Sequence, residues 1–538
     1  MSLSSRWIFI YLLCLVFVIG LISRFLMIEK KLTFHFPPWI SKLESDSSIT
    51  QPPAMTTSWH DSEEVKMLKE LIAWPEPRGT PSVESSTSPE NCDYQILNPR
   101  AHYSVGETLE LLLTARDHQK RPKSYGGDFF QAKLHSPGLK AGVTGSVRDH
   151  QNGTYTITFL LLWPGDVEVS IRLMLSSEAV HIIKRLRESR PDKASFSGVF
   201  MKNGKEEVTE CNVYKLNGSL CEYADLGTKE KWYCIKPKEL PCSSCVYHVN
   251  GNVRSITTKE DEAFLHKRLT GQVIPSRIPS LHVLARTNSH SELRLPNCTP
   301  GLPIPNPSGF YYDDDWTSLI CSSRKFPMPS NITKCLSGKA VYMFGDSTLK
   351  QWWEYLESFV PSLKKIGFHL SPYMGLQLAI DTENNYLIQW RAHGRPLSMG
   401  KLMVANLHYI TNDIDGIGGG PGIVIVFNIW AHLVFFSVDL YIQRMQKIHR
   451  AVIDLLQRSP QTTIIIKTAN TGKTNMPNSE WLSFQLDSIL RRVFLGQPVA
   501  IIDAWQMTSC HYLPYNIHPG RVIIRNEVDM FLSYICPQ

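Results

Sequence analysis

Four short apolar runs in the C-terminal part of the chain constrain its fold more than any other feature. They are Ala340–Phe344, Ile423–Phe427, Thr463–Ile466 and Val499–Ile502. A run without polar interruption reads as a strand covered on both faces. Between and after the runs the apolar spacing becomes helical, over Thr348–Val360, Val438–Gln457, Ser479–Leu495 and Arg525–Ile535. Strands joined by helices of this length imply a parallel sheet with right-handed crossovers. In such open sheets ligands bind beyond the carboxyl ends of the strands, so polar residues there are the ones to weigh.

Gly345-Asp346-Ser347 leaves the first run and opens the first helix, which carries Leu349, Trp352, Trp353, Leu356 and Phe359. Asp346 or Ser347 can simply cap that helix. Alternatively, a serine at this turn presents its hydroxyl beside helix-start N–H groups able to meet an oxyanion. Asn428 follows the second run, and Asp503 follows the fourth. His518, in Asn516-Ile-His-Pro519, comes fifteen residues after Asp503. Each has a structural alternative: Asn428 can cap a loop, His432 can be packed, and Asp503 can cap the segment from Ala504. Together they supply nucleophile, base, acid and amide donor, the parts of an acyl-transfer site. Gly416–Gly422 precedes its strand, which excludes a dinucleotide loop.

The front of the chain is different. Arg6 precedes an uncharged apolar stretch, Trp7–Ile22, that resumes as Phe25–Ile28. Residues 1–28 therefore fit a cleaved signal peptide or a short membrane anchor, and the missing Ala-x-Ala pattern favours the anchor. Residues 29–90, rich in Pro, Ser and Thr, read as a stem, with a helix hinted over Ser62–Leu71. Residues 91–200 carry short runs at Thr108–Thr114, Phe129–Leu134, Val143–Val147, Gly153–Phe159 and Asp166–Leu173, punctuated by turns. That spacing predicts an immunoglobulin-like β-sandwich. Residues 201–300 form a cysteine-dense, loop-rich segment and linker, and residues 301–538 the α/β domain. Sequons at Asn152, Asn217, Asn297 and Asn331 point to glycosylation in the secretory pathway. Of twelve cysteines, one (Cys14) lies in the apolar leader and eleven remain. The odd number leaves at least one thiol unpaired or bridged between chains. Cys242-Ser-Ser-Cys245 with Cys234 could form a zinc or redox site, but structural disulfides suit the compartment better. The 56 basic and 49 acidic residues give a formal charge of +7, with no basic block to mark a nucleic-acid binder.

Gly345-Asp-Ser347 with Gln351-Trp352, Asn428 and His432, and Asp503-Ala-Trp505 with His518-Pro519, resemble the PC-esterase branch of the GDSL/SGNH hydrolases. Combined with the sandwich and cysteine-rich segment, residues 90–538 are similar to the neurexophilin and PC-esterase (NXPE) family. The resemblance implies O-acyl transfer to, or removal from, glycan hydroxyls such as those of sialic acids or mucin-type glycans. Ser347 would be the nucleophile, His518 its base and Asp503 the orienting acid. The Ser347 and Gly394 amides and the Asn428 side chain are the oxyanion candidates. Arg391, Arg395 and His432 are candidates for substrate contact. No cofactor or metal is implied beyond an acetyl donor, acetyl-CoA or similar. The expected setting is the Golgi lumen as a type II membrane protein, or the exterior if the leader is cleaved. The family's usual Asp-x-x-His is absent, because Tyr515 stands three residues before His518. His511 is a rival base, Gln506 replaces an expected acid, and Cys510 is the candidate free thiol. An alternative function remains open: a non-catalytic surface ligand whose sandwich binds a cell-surface receptor.

Overall fold

The computed structural model describes residues 58–285, 295–368, 375–394, 400–472 and 479–537. The chain divides into units of residues 1–62 and 63–538, and, apart from the first turn of the helix that begins at Ser58, the second holds everything that follows. The expected anchor and the first part of the stem lie outside the described residues. Among the described residues no helix is long and apolar enough to cross a membrane.

The later part of the expected stem belongs to the folded body. A helix spans Ser58–Leu71, and Leu68 within it is fully buried. Trp74 sets its ring edge-on to Trp481 at 5.8 Å and Phe129 at 6.0 Å, and its indole N–H donates to Gly127 O at 2.7 Å. Burying that aromatic surface outweighs the Pro/Ser composition that suggested a spacer.

Two sheets follow. A four-stranded antiparallel sheet orders Asp93–Ile96, Thr108–Thr114, Thr154–Leu160 and Ser146–Asp149. A second is built around Phe129–Ser136 and Gly165–Leu175. Leu109, Leu111 and Phe159 of the first share one core with Leu134, Ile171 and Leu173 of the second. Strand Thr108–Thr114 alternates buried and open positions, the period-two signal of a half-buried strand. A hairpin from the C-terminal part, Gly309–Tyr312 with Asp315–Ser318, joins the second sheet where Tyr311 pairs with Gly142.

The cysteine-dense segment is not loop-rich. It forms a six-stranded sheet ordering Leu220–Ala224, Lys231–Ile235, Lys205–Asn212, Ala194–Lys202, Cys245–Val253 and Lys401–Met403. Disulfides Cys211–Cys234 and Cys221–Cys242 fasten it. Cys298–Cys321 and Cys335–Cys536 lie further on, while Cys92 and Cys510 are buried and form no disulfide among the described residues. Four disulfides place the chain in a secretory or extracellular setting.

The C-terminal sheet contains β1 (Ala340–Gly345), β2 (Lys364–Ile366), β3 (Gln377–Asp381), β4 (Tyr386–Ala392), β5 (Ile423–Phe427), β6 (Thr463–Lys467) and β7 (Ala500–Ile502). Their order across the sheet is β2-β3-β4-β1-β5-β6-β7. From β4 to β7 all neighbours are parallel, as expected, and β2 and β3 add an antiparallel edge. Helices α1 (Ser347–Phe359) and α5 (Arg521–Ile535) cover one face, and α2 (Val438–Arg458) and α3 (Ser479–Val493) the other. Residues of β5 alternate between the two cores: Val424 and Val426 go to the first, Ile425 and Phe427 to the second. That is why the run has no polar member.

Candidate active site

The turn from β1 into α1 is fixed by three side chains. A Cβ on Gly345 would stand 1.9 Å from Asn428 Oδ1, so only glycine lets the two strand ends approach this closely. Asn428 Oδ1 accepts from Asp346 N at 2.9 Å. Asp346 is the N-cap of α1; its Oδ1 accepts from Thr348 N at 2.8 Å and Thr348 Oγ1 at 2.7 Å. Burial would push the Asp346 carboxyl up, but nearby His432 and hydrogen bonds from Thr348 and Asn428 hold it below the usual carboxylate range. Both readings of the turn therefore apply to different residues: Asp346 caps the helix, and Ser347 faces out.

The Ser347 hydroxyl lies 2.8 Å from His518 Nε2. Both residues are exposed. The two groups are 171 positions apart in sequence and meet because His518 rides a loop that returns over the sheet end. Asp503 does not join them. Its Oδ1 pairs with Arg491 at 2.7 Å and accepts from Gln506 N at 3.1 Å, the N-cap of α4 (Ala504–Ser509). The reason is topological: β7 stands three strands from β1, roughly 14 Å at the usual strand spacing. Among the described residues no carboxylate bonds to His518. His511 is not a rival base, since it is buried against Tyr311 beside Asp314, and burial pushes it down to about 4.

Asn428 is not aimed at an oxyanion. Its amide N–H groups donate to Asp346 Oδ1 at 3.0 Å and Thr348 Oγ1 at 2.8 Å, so it braces the turn. Gly394 lies at the same sheet end, since Ala392 pairs with Gly345 and His393 N donates to Gly345 O at 3.1 Å. Behind it, His393 Nδ1 donates to Gly394 O at 2.7 Å, which leaves its Nε2 to accept from His432 Nδ1 at 3.0 Å. Burial, with His432 adjacent, pushes His393 down to about 3, so it is neutral. Arg391 is engaged by Asp413 and His408 Nδ1, each at 3.2 Å. Arg395 lies outside the described residues. The four sequon asparagines, Asn152, Asn217, Asn297 and Asn331, are all exposed.

A family model described as "NXPE family member 4-like, C-terminal domain" matches residues 316–536, and a model described as "Neurexophilin" matches residues 61–263. This chain belongs to the NXPE family. The first match contains Ser347 and His518, and the second begins inside the helix that the stem had been expected to include.

In this NXPE chain a cavity of about 890 Å³ lies away from Ser347. It lies against the edge of β7 and the second sheet, lined by Asp503, Arg491, Trp505, Phe484 and Gln131. The Ser347–His518 pair instead lies open at the sheet end, and the chemistry argues for that pair over the larger space. Cys234, Cys245 and His248 bring ligand atoms within 4.8 Å of one another, but the Cys234 sulfur is bonded to Cys211 and cannot serve a metal. Thr348 and Asn470 brace the site without any role suggested by the sequence, and Asp346 was suggested only as a cap. Asn470 sits in a loop that no periodicity marks.

Proposed function

We propose that this protein is an O-acyl transferase or esterase acting on glycan hydroxyls in the secretory pathway, with Ser347 as nucleophile and His518 as base. The 2.8 Å contact between them carries the reading. His518 Nε2 takes the hydroxyl proton as Ser347 Oγ attacks the carbonyl of an acetyl donor, acetyl-CoA or similar. The donor leaves with that proton, and an acetyl ester on Ser347 remains. A sugar hydroxyl or water, deprotonated by the same imidazole, then takes the acyl group. The Ser347 and Gly394 amides face the oxyanion. The three-layer arrangement around β1–β7 supports an SGNH-like domain, and the paired N-terminal sheets an immunoglobulin-like one. A type II anchor in the Golgi membrane fits the apolar leader.

Acetyl-ester mass spectrometry of glycans from cells expressing the protein tests this. Ser347→Ala, secreted normally, is expected to abolish the acetyl esters that the parent adds or to restore those it removes. A variant indistinguishable from the parent contradicts the reading. The engagement of Asp503 by Arg491 favours a second reading, a non-catalytic ligand recognised through the neurexophilin-like sheets, and that is the reading such a result would leave standing.

A further inference from the structure

His518 has no carboxylate partner among the described residues, yet its loop is held at both neighbouring carbonyls. Asn470 Nδ2 donates to Ile517 O at 2.8 Å, and Gln351 Nε2 donates to Pro519 O at 3.2 Å. Ile517 and Pro519 flank His518 directly, so its Cα is set from both sides. Gly472 lies beneath the same loop with φ +159°, and a Cβ there would stand 2.0 Å from Ile517 N.

The two amide-bearing elements are joined through the core. Gln351 lies on α1, one residue before Trp352, whose indole N–H donates to Glu527 Oε2 at 2.6 Å. Glu527 Oε2 is 3.6 Å from Lys467 Nζ, both side chains being fully buried. Lys467, the last residue of β6, donates to Asn470 Oδ1, and its ammonium lies 5.8 Å from the Trp352 ring. The path thus leaves α1 at Trp352, runs through Glu527, Lys467 and Asn470 to the His518 loop, and returns to α1 at Ser347. A buried ion pair is weak support for stability, because desolvation offsets its attraction. Burial pushes Lys467 down and Glu527 up, in the directions that oppose charge. A pair retained in those circumstances is better explained by what it orients.

We infer that Asn470 and Gln351 are positioning residues for His518, setting the imidazole against Ser347 by clamping the carbonyls on either side of it, in place of an orienting acid. The inference rests on the acyl-transfer reading. It requires that loosening either amide displaces the imidazole while leaving Ser347 in place, and a displacement near 1 Å costs on the order of 100-fold in rate.

The test is the rate at which a fluorophosphonate probe labels Ser347 in the purified full-length protein, followed between pH 5 and 8. Parent, Asn470→Ala, Gln351→Ala, His518→Ala and Ser347→Ala are compared, with circular dichroism melting of each. The parent is expected to label at Ser347 with a rate that changes across this range. Asn470→Ala and Gln351→Ala are expected to lose at least about tenfold and to flatten that change with pH, as His518→Ala does. A merely structural role would lower the melting temperature without altering the pH profile. Gln351 is half-buried in the second turn of α1, on a different element from Asn470, so it keeps the test available if Asn470→Ala does not fold. Labelling at parental rate with the parental pH profile in either folded variant overturns the inference and leaves the acyl-transfer reading intact. A parent that does not label at Ser347 overturns both.

Discussion

In the proposed reaction Ser347 and His518 would act as a unit, so removing either is expected to cost nearly all of the rate that both supply. In His518→Ala, acylation of Ser347 should fall by at least about 100-fold, the usual scale of general-base catalysis. Gly345→Ala tests the turn itself: its Cβ would stand 1.9 Å from Asn428 Oδ1, and the strand ends must part. Loss of Ser347 labelling in that variant, with the fold retained by circular dichroism, is the expected outcome. Glu480 gives a pH dependence. Its Oε1 accepts from Gly472 N at 2.9 Å and its Oε2 from Gln131 Nε2 at 3.1 Å. Burial pushes it from 4.5 up to about 7, outweighing those hydrogen bonds. The folded state thus holds this proton more tightly than the unfolded chain does. The stability it contributes is full below about pH 4.5 and is lost as pH rises through 7. At 1.36 kcal/mol per pH unit that amounts to roughly 3 kcal/mol. Denaturant midpoints measured from pH 4 to 8 should fall over this window in the parent and fall less in Glu480→Gln; equal slopes would contradict the assignment.

At the scale of elements, legibility followed burial on two faces. Ile423–Phe427 is a strand with the same bounds that its apolar run suggested, because each alternate residue faces a core. Lys205–Asn212 was missed because its mixed polar sequence, KEEVTECN, shows no apolar run, and only its last two residues are buried. Tyr386–Ala392 carries a clear alternation of buried and open positions, yet Gln389 and Arg391 interrupt the apolar run that would have marked it. The meeting of Ser347 and His518 at one sheet end was legible because a turn motif and a loop motif flag the two residues. The failure of Asp503 was not, since sequence order does not say how many strands separate β7 from β1. Disulfide Cys335–Cys536 ties the helix Pro329–Leu336 to the end of α5 across 201 residues. Closing so long a loop restricts the unfolded chain, and Cys335→Ser with Cys536→Ser is expected to lower stability by roughly 4 kcal/mol, read as a drop in the denaturant midpoint.

Over the whole molecule, the two family matches do not correspond to independent bodies. Lys133 Nζ donates to His511 O at 2.7 Å, Gln131 reaches Glu480, and the Gly309–Ser318 hairpin pairs with the second sheet. Gly142 passes so close to Cys510 that a Cβ would stand 2.1 Å from its carbonyl oxygen. Calorimetry of the intact protein is therefore expected to show one cooperative transition for the body from residue 63 onward. Residues 316–536 expressed alone, lacking Gly309–Tyr312 and its sheet, should not fold. The acyl-transfer account itself is tested most directly by incubating the full-length protein with an isotopically labelled acetyl ester, quenching in acid, and locating the label by peptide mass spectrometry. The account predicts one labelled acetyl group on Ser347 in the parent and none in His518→Ala. An unlabelled Ser347 in the parent, or equal labelling without the imidazole, would contradict it.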